Sequence, residues 1–207
     1  MERLPVVVLS GFLGSGKTTL LNRWLSERQD LAVIINELGD IGIDKHLTGP
    51  RRVPVTLLAG GCLCCVIQGS LSSTLRNLFM ARKNGELPAF SMLVLETTGA
   101  ADPFGVTAPL EQDPWLKKRF FCQSVLTVVD ALAGVRSLER HPEWLEQIHA
   151  ADALLLSKTA HCEPQALAAL KAQLAALNVT AHIYSEPAPV DLLAQSFPRR
   201  CRVTGSF

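Results

Sequence analysis

The sequence predicts a three-layer α/β domain built around a mostly parallel β-sheet. Three observations carry this prediction. Short, continuous apolar runs rich in β-branched residues recur along the chain, as strands buried on both faces require. Stretches with helical spacing fall between several of them. Polar motifs follow directly on the ends of the runs, where open α/β sheets bind their ligands.

Pro5–Ser10 reads as the first strand, and Thr18–Arg28 as a helix with Leu20, Leu21, Trp24 and Leu25 at helical spacing. Leu31–Asn36 is a second strand. Residues 37–50 hold four glycines or prolines and several charges, so they read as a long loop. Val53–Leu58 is a short strand closed by Gly60-Gly61. Gln68–Lys83 is a helix with Leu71, Leu75, Leu78 and Phe79 on one face. Ser91–Glu96 and Cys122–Val129 are strands ending at Thr97-Thr98-Gly99 and Asp130. Ala153–Leu156 is a strand ending at Ser157-Lys158. Glu163–Leu177 is an Ala/Leu-rich helix, and His182–Tyr184 a last strand.

The segment Gly11-Phe12-Leu13-Gly14-Ser15-Gly16-Lys17-Thr18 lies between a predicted strand and a predicted helix. That is the context a P-loop requires. Its glycines let the backbone curl so that amide N–H groups converge on phosphate oxygens, and the helix N-terminus adds its partial positive charge. Lys17 is placed to reach the β- and γ-phosphates, and the Thr18 hydroxyl to bind Mg²⁺. The predicted fold is therefore a P-loop NTPase domain. Gly11, Gly14, Ser15, Gly16, Lys17, Thr18 and Thr19 are the expected nucleotide-binding residues.

A second motif, Glu96-Thr97-Thr98-Gly99, ends a strand expected beside the first. A carboxylate there holds a Mg²⁺-bound water or polarises an attacking water. It can equally be a helix cap or a surface charge, and proximity to Lys17 and Thr18 separates these readings. Gly99 can offer its amide to a γ-phosphate without an intervening side chain.

Gly61-Cys62-Leu63-Cys64-Cys65 crowds three of the six cysteines into four residues. Thiolates favour Zn²⁺ or Cu(I), and three of them leave one tetrahedral position open. An open position suits a metal that must be passed on. Packed free thiols and a redox pair are the alternatives. In the loop Asn36-Glu37-Leu38-Gly39-Asp40-Ile41-Gly42-Ile43-Asp44, the carboxylates of Glu37, Asp40 and Asp44 are candidate metal ligands or catalytic groups, or else a solvated acidic face.

Composition excludes other classes. Hydrophobic residues make up 48% and charged residues 19%, which argues against disorder. The net charge of +1 supplies no field for nucleic acid or an anionic membrane, and no apolar run reaches membrane-spanning length. A cytoplasmic protein with reduced thiols is expected. The histidines His46, His141, His149, His161 and His182 are dispersed and read as surface residues, and the basic Arg199, Arg200 and Arg202 as a solvated tail.

Taken together and in this order, the phosphate loop extended through Asn22, the Asn36–Asp44 segment, the Cys62-Leu63-Cys64-Cys65 cluster, Glu96–Gly99 and Val128-Val129-Asp130-Ala131 resemble the CobW-like family of GTPases and metal chaperones, whose wider relatives include UreG and HypB. The resemblance runs from residue 6 to about 160. It implies a slow, metal-responsive GTPase using GTP/GDP and Mg²⁺. Cys62, Cys64 and Cys65 would hold Zn²⁺ or Co²⁺, with Glu37 approaching either that metal or Mg²⁺. Lys17, Glu96 and Glu37 are then the catalytic candidates. Implied partners are a client metalloprotein and a second copy in a nucleotide-dependent homodimer, with no nucleic acid and no membrane. The domain is expected over 1–190, with 191–207 a C-terminal tail or the start of a C-terminal domain that is missing.

One departure bears on the base. The family's base-recognition motif reads Asn-Lys-x-Asp, and this chain has Ser157-Lys158-Thr159-Ala160. Ser157 and Lys158 remain base-site candidates, since the Lys158 stem can lie along the base. Ala160 cannot accept from guanine N1 and N2, a loss of about 1–3 kcal/mol by analogy with base readout. Glu163 is a carboxylate nearby at the wrong spacing. Three functions follow as alternatives: a GTPase that gates metal delivery, a nucleotide-sensing zinc carrier with negligible hydrolysis, and an NTPase of relaxed base specificity. A small-molecule phosphotransferase on the same scaffold lacks a recognisable acceptor pocket.

Overall fold

The computed structural model describes residues 3–36, 55–58, 67–99, 101–133 and 142–197. Glu37, Asp40, Asp44, Cys62, Cys64 and Cys65 lie outside the described residues.

Seven strands form one sheet: β1 (Leu4–Gly11), β2 (Leu31–Asn36), β3 (Val55–Leu58), β4 (Met92–Glu96), β5 (Phe120–Asp130), β6 (Ala153–Ser157) and β7 (His182–Ser185), in the order β3-β2-β4-β1-β5-β6-β7. Every registered pairing is parallel. Among the described residues six α-helices accompany it: α1 (Lys17–Glu27), α2 (Ile67–Lys83), α3 (Pro103–Gln112), α4 (Pro114–Lys117), α5 (Pro142–Ala150) and α6 (Pro164–Leu177).

The sheet is apolar on both faces, and its residues divide by alternation. Val6, Val8, Ala32, Ile34, Leu93 and Leu95 point to a core shared with Leu71, Leu75, Leu78 and Phe79 of α2 and with Val106 and Leu110 of α3. Val7, Leu9, Leu31, Val33, Ile35 and Val94 point the other way, onto Leu21 and Trp24 of α1. That second face is completed by Ala188, Leu192 and Leu193, so the chain after Pro189 is packed on the domain. Leu154 and Leu156 meet Trp144 and Ile148 of α5 and Leu170 and Leu174 of α6.

The expected strands and the helices at 18–28, 68–83 and 163–177 are all present, within two residues at most boundaries. Helices α3, α4 and α5 lie in stretches for which the sequence pattern predicts no element. Helix α3 is buried along most of its length and carries Pro109 inside it, so no polar face marks its period. Its start is signalled locally: the Asp102 carboxylate accepts from the Phe104 amide, and Pro103 occupies the first turn. No helix among the described residues is long and apolar enough to cross a membrane.

Candidate functional site

β1 lies inside the sheet, and its C-terminal end opens into the phosphate loop. Gly11, Gly14 and Gly16 have φ of 138°, 75° and 95°. Gly11 is pinned as well by the β1–β5 pairing, since a Cβ there would lie 2.4 Å from the Val128 carbonyl oxygen. Gly16 is the N-cap of α1, and no side chain caps the helix. Helix N-termini left open in this way hold phosphate. The Lys17 ammonium is buried in the loop, donating to the carbonyl oxygens of Gly11 at 2.7 Å and Phe12 at 3.1 Å.

Leu9 of β1 stands beside Glu96 of β4 in the sheet register, which brings the buried Glu96 carboxylate to the mouth of the loop. The Thr18 hydroxyl donates to Glu96 Oε1 at 3.1 Å. A hydroxyl and a carboxylate oxygen are hard donors, and Mg²⁺ takes such oxygens together with nucleotide phosphates. Ser15 Oγ and Thr98 Oγ1 are buried beside them without a hydrogen-bond partner among the described residues. The residues present therefore fit a Mg²⁺–nucleotide. Thr19 is exposed one residue beyond.

Gly99 packs directly on the loop, where a Cβ would approach the Leu13 amide nitrogen to 2.5 Å. Helix α5 braces both segments. The Gln147 amide donates to the carbonyls of Gly99 at 2.9 Å and Ala101 at 3.2 Å, and Trp144 meets the Phe12 ring edge-on at 5.6 Å.

The tip of β6 is stitched to the other side of the loop. The Ser157 hydroxyl donates to the Ser15 carbonyl at 2.6 Å. Lys158, at φ 57°, donates from Nζ to the Gly14 carbonyl at 2.9 Å and to Asp130 Oδ2 at 2.5 Å. Ala160 sits exposed in the 3-10 turn Thr159–His161 and contributes only a methyl. Glu163 is the exposed N-cap of α6 and makes no side-chain cap bond.

The structure thus brings together Gly11, Gly14, Ser15, Gly16, Lys17, Thr18, Glu96, Gly99, Ser157 and Lys158. Gln147 and Glu186 join them without having been singled out from sequence, and Asp130, which the Val128-Val129-Asp130-Ala131 motif had marked without giving it a role, joins them as well. Asp130 had a visible signal, following directly on the predicted strand Cys122–Val129. Gln147 and Glu186 are single polar residues in stretches with no motif. Among the described residues no cluster of three or more histidine, cysteine or carboxylate side chains is placed to hold a metal.

A cavity of about 340 Å³ opens elsewhere, around Arg3, Phe121, Cys122 and Asp152. It lies toward the strand starts, the edge opposite the loop. The ligand edge of a parallel α/β sheet is the C-terminal one, so the loop and not this cavity is the candidate site.

An uncapped helix N-terminus, a buried loop lysine and a hydroxyl–carboxylate pair at the strand ends define a P-loop nucleotide-binding domain. The chain belongs to the CobW/HypB/UreG family, whose nucleotide-binding domain matches residues 5–185. It is similar to the zinc chaperone YjiA of Escherichia coli (strain K12), at 35% identity over 161 residues, covering 77% of this chain and 50% of that protein. It is also similar to the zinc-regulated GTPase metalloprotein activator 1 of Schizosaccharomyces pombe (strain 972 / ATCC 24843), at 32% identity over 196 residues, covering 88% and 46%. The crystal structure of the Zn(II)-bound YjiA GTPase from E. coli superposes with a TM-score of 0.70 at 27% identity, covering 91% of this chain and 59% of that one. The chain spans about half the length of the curated relatives it matches.

Proposed function

We propose that this domain binds GTP with Mg²⁺, hydrolyses it slowly, and couples its nucleotide state to a Zn²⁺ or Co²⁺ ion carried on Cys62, Cys64 and Cys65 for delivery to a client metalloprotein. The observation that carries the nucleotide half is the contact between Thr18 and Glu96 at the mouth of the phosphate loop. The metal half rests on the three-cysteine cluster and on relatives named as a zinc chaperone and a zinc-regulated GTPase metalloprotein activator.

In this reading Lys17 exchanges its loop carbonyls for the β- and γ-phosphates, and Thr18 and Glu96 hold the Mg²⁺ side of the site. Glu96 or Glu37 orients the attacking water, and the Gly99 amide meets the γ-phosphate. Bound Mg²⁺ supplies charge neutralisation on the phosphate oxygens. Ser157 and Lys158 flank the base. The GTPase unit spans 1–190, and 191–207 is a tail or the start of a further domain, its first turn packed through Leu192 and Leu193. The protein works in the cytoplasm and forms a nucleotide-dependent homodimer.

A Zn²⁺ titration repeated with GTP, GDP and ATP tests this. Zn²⁺ affinity is expected to depend on which guanine nucleotide is bound, and to be lost in Cys62→Ser/Cys64→Ser/Cys65→Ser. Unaltered Zn²⁺ stoichiometry in that triple variant removes the metal half. Lys17→Ala is expected to abolish nucleotide binding and turnover, and unchanged turnover removes the catalytic half. Metal binding that follows nucleotide state without phosphate release selects the zinc-carrier alternative.

A further inference from the structure

We propose that the Glu186 carboxylate reads the base, accepting from guanine N1–H and N2–H₂ in place of the carboxylate that Ala160 does not provide. This rests on the nucleotide half of the function proposed above.

The C-terminal tips of β1, β5, β6 and β7 stand in a row. Thr18 and Glu96 mark the triphosphate end of the site, and the row runs from there past Asp130 and Lys158 to Glu186. Three strand intervals separate β1 from β7, roughly 14 Å at usual spacing. A base carried away from the loop along this row reaches the β6–β7 tips, with the Lys158 stem running beside it back to the Gly14 carbonyl. A nucleobase met at that end needs a polar group facing its edge.

Ala160 offers none, and Glu163 stands at the N-cap position of α6, at the wrong spacing from Lys158. Glu186 follows β7 directly. Its amide donates to the Leu156 carbonyl at 3.0 Å, which continues the β6–β7 pairing by one residue. Its carboxylate Oε2 accepts from the Lys158 amide at 2.7 Å. The side chain is therefore fixed at the root of the base-flanking lysine, while remaining exposed. The Lys158 ammonium is committed to Gly14 and Asp130 and does not neutralise it.

The chemistry of the pairing favours one base. A carboxylate only accepts, and its two oxygens carry about four lone-pair sites, so one bond from Lys158 leaves capacity on both. Guanine presents two adjacent donors, N1–H and N2–H₂. Adenine presents an acceptor at N1 and no amino group at C2, so the same carboxylate repels it. Selectivity would thus come from attraction of guanine and rejection of adenine together.

The test measures affinities of the full chain with Mg²⁺ for GTP, ITP, XTP and ATP, in the wild type, Glu186→Gln and Glu186→Ala. Wild type is expected to prefer GTP over ITP, which lacks the C2 amino group, and over ATP. In Glu186→Gln the amide oxygen keeps the Lys158 bond and the amide NH₂ faces the base. GTP is then expected to weaken by about 10- to 100-fold while XTP, with a C2 carbonyl, strengthens. Glu186→Ala should bring GTP down to the ATP level. Because Gln preserves the structural bond, Glu186→Gln remains decisive even if the alanine variant folds poorly. GTP affinity within about twofold of wild type in Glu186→Gln, with no gain for XTP, overturns the proposal while leaving the GTPase reading intact. A wild type that binds no triphosphate overturns both.

Discussion

The buried Gln147 side chain donates to the Gly99 carbonyl at 2.9 Å, so a helix remote in sequence holds the segment that follows the catalytic candidate Glu96. The same amide reaches the Ala101 carbonyl, and the Gln147 carbonyl accepts from the Thr127 hydroxyl of β5 at 3.0 Å. The segment after β4 is therefore tied to the sheet through α5.

Gln147→Leu keeps the volume of the side chain and removes the donor. It leaves two carbonyls short of a partner in a buried setting, at a cost of about 1–3 kcal/mol. A lowered denaturation midpoint is expected, together with weaker GTP binding as Gly99 loosens. A variant with wild-type stability and wild-type affinity would show that the bond is dispensable.

Glu96→Gln separates charge from shape. The amide can still meet the Thr18 hydroxyl, so the loop geometry should survive and nucleotide binding should persist. Turnover is expected to fall by on the order of 100-fold or more, because a neutral amide neither holds the Mg²⁺ side nor activates water. Single-turnover phosphate release against binding measured by titration distinguishes the two effects. Full activity in this variant would assign catalysis elsewhere.

Gly99→Ala inserts a Cβ 2.5 Å from the Leu13 amide nitrogen, closer than any real contact. The loop backbone or the Gly99 segment must move, and overpacking of this kind costs about 1–3 kcal/mol. Because Leu13 belongs to the phosphate loop, affinity for GTP is expected to drop more than thermal stability does. Isothermal titration alongside melting curves reads both. Equal loss in both quantities would indicate a packing role alone.

Asp30 supplies a pH-dependent contribution away from the site. Its hydrogen-bonded pairing with Arg28 lowers its carboxyl to about 2, against partial desolvation, with a further hydrogen bond from Ser91. A depressed folded-state value means the stabilisation is present above the unfolded value near 4 and is lost as pH falls toward 2. Asp30→Asn should therefore destabilise at neutral pH by under about 1 kcal/mol, since the carboxylate is two-fifths exposed and screened. That difference should shrink as pH falls toward 2 and vanish below it. Chemical denaturation at several pH values checks it, and a penalty independent of pH would rule out the ionic origin. Nucleotide affinity should be unchanged.

Much of the fold can be read from local pattern. Strand runs and the helices α1, α2 and α6 follow from apolar periodicity, which depends only on near neighbours in the chain. The phosphate loop is equally local: eight consecutive residues carry the glycines, the lysine and the helix start that make an anion site. Family membership follows from the same short motifs in order, and the match over 5–185 agrees with it. The cysteine cluster is likewise a local signal, and its geometry lies outside the described residues.

The assembled site depends on long-range contacts that no window of sequence contains. Thr18 meets Glu96 across 78 residues, and Ser157 meets Ser15 across 142. Those contacts exist because the sheet order places β4 on one side of β1 and β5, β6 and β7 on the other, with registers that bring each polar tip level with the loop. Order and register are set by how both apolar faces of the sheet are covered, a property of the whole core. Helix α3 was hidden for the same reason. Its burial, and the bracing of Gly99 by Gln147, arise only after the sheet has formed. The phosphate loop was therefore fixed by its own eight residues, whereas the proposed base end, with Asp130, Lys158 and Glu186 converging from the ends of three strands, was decided by tertiary packing.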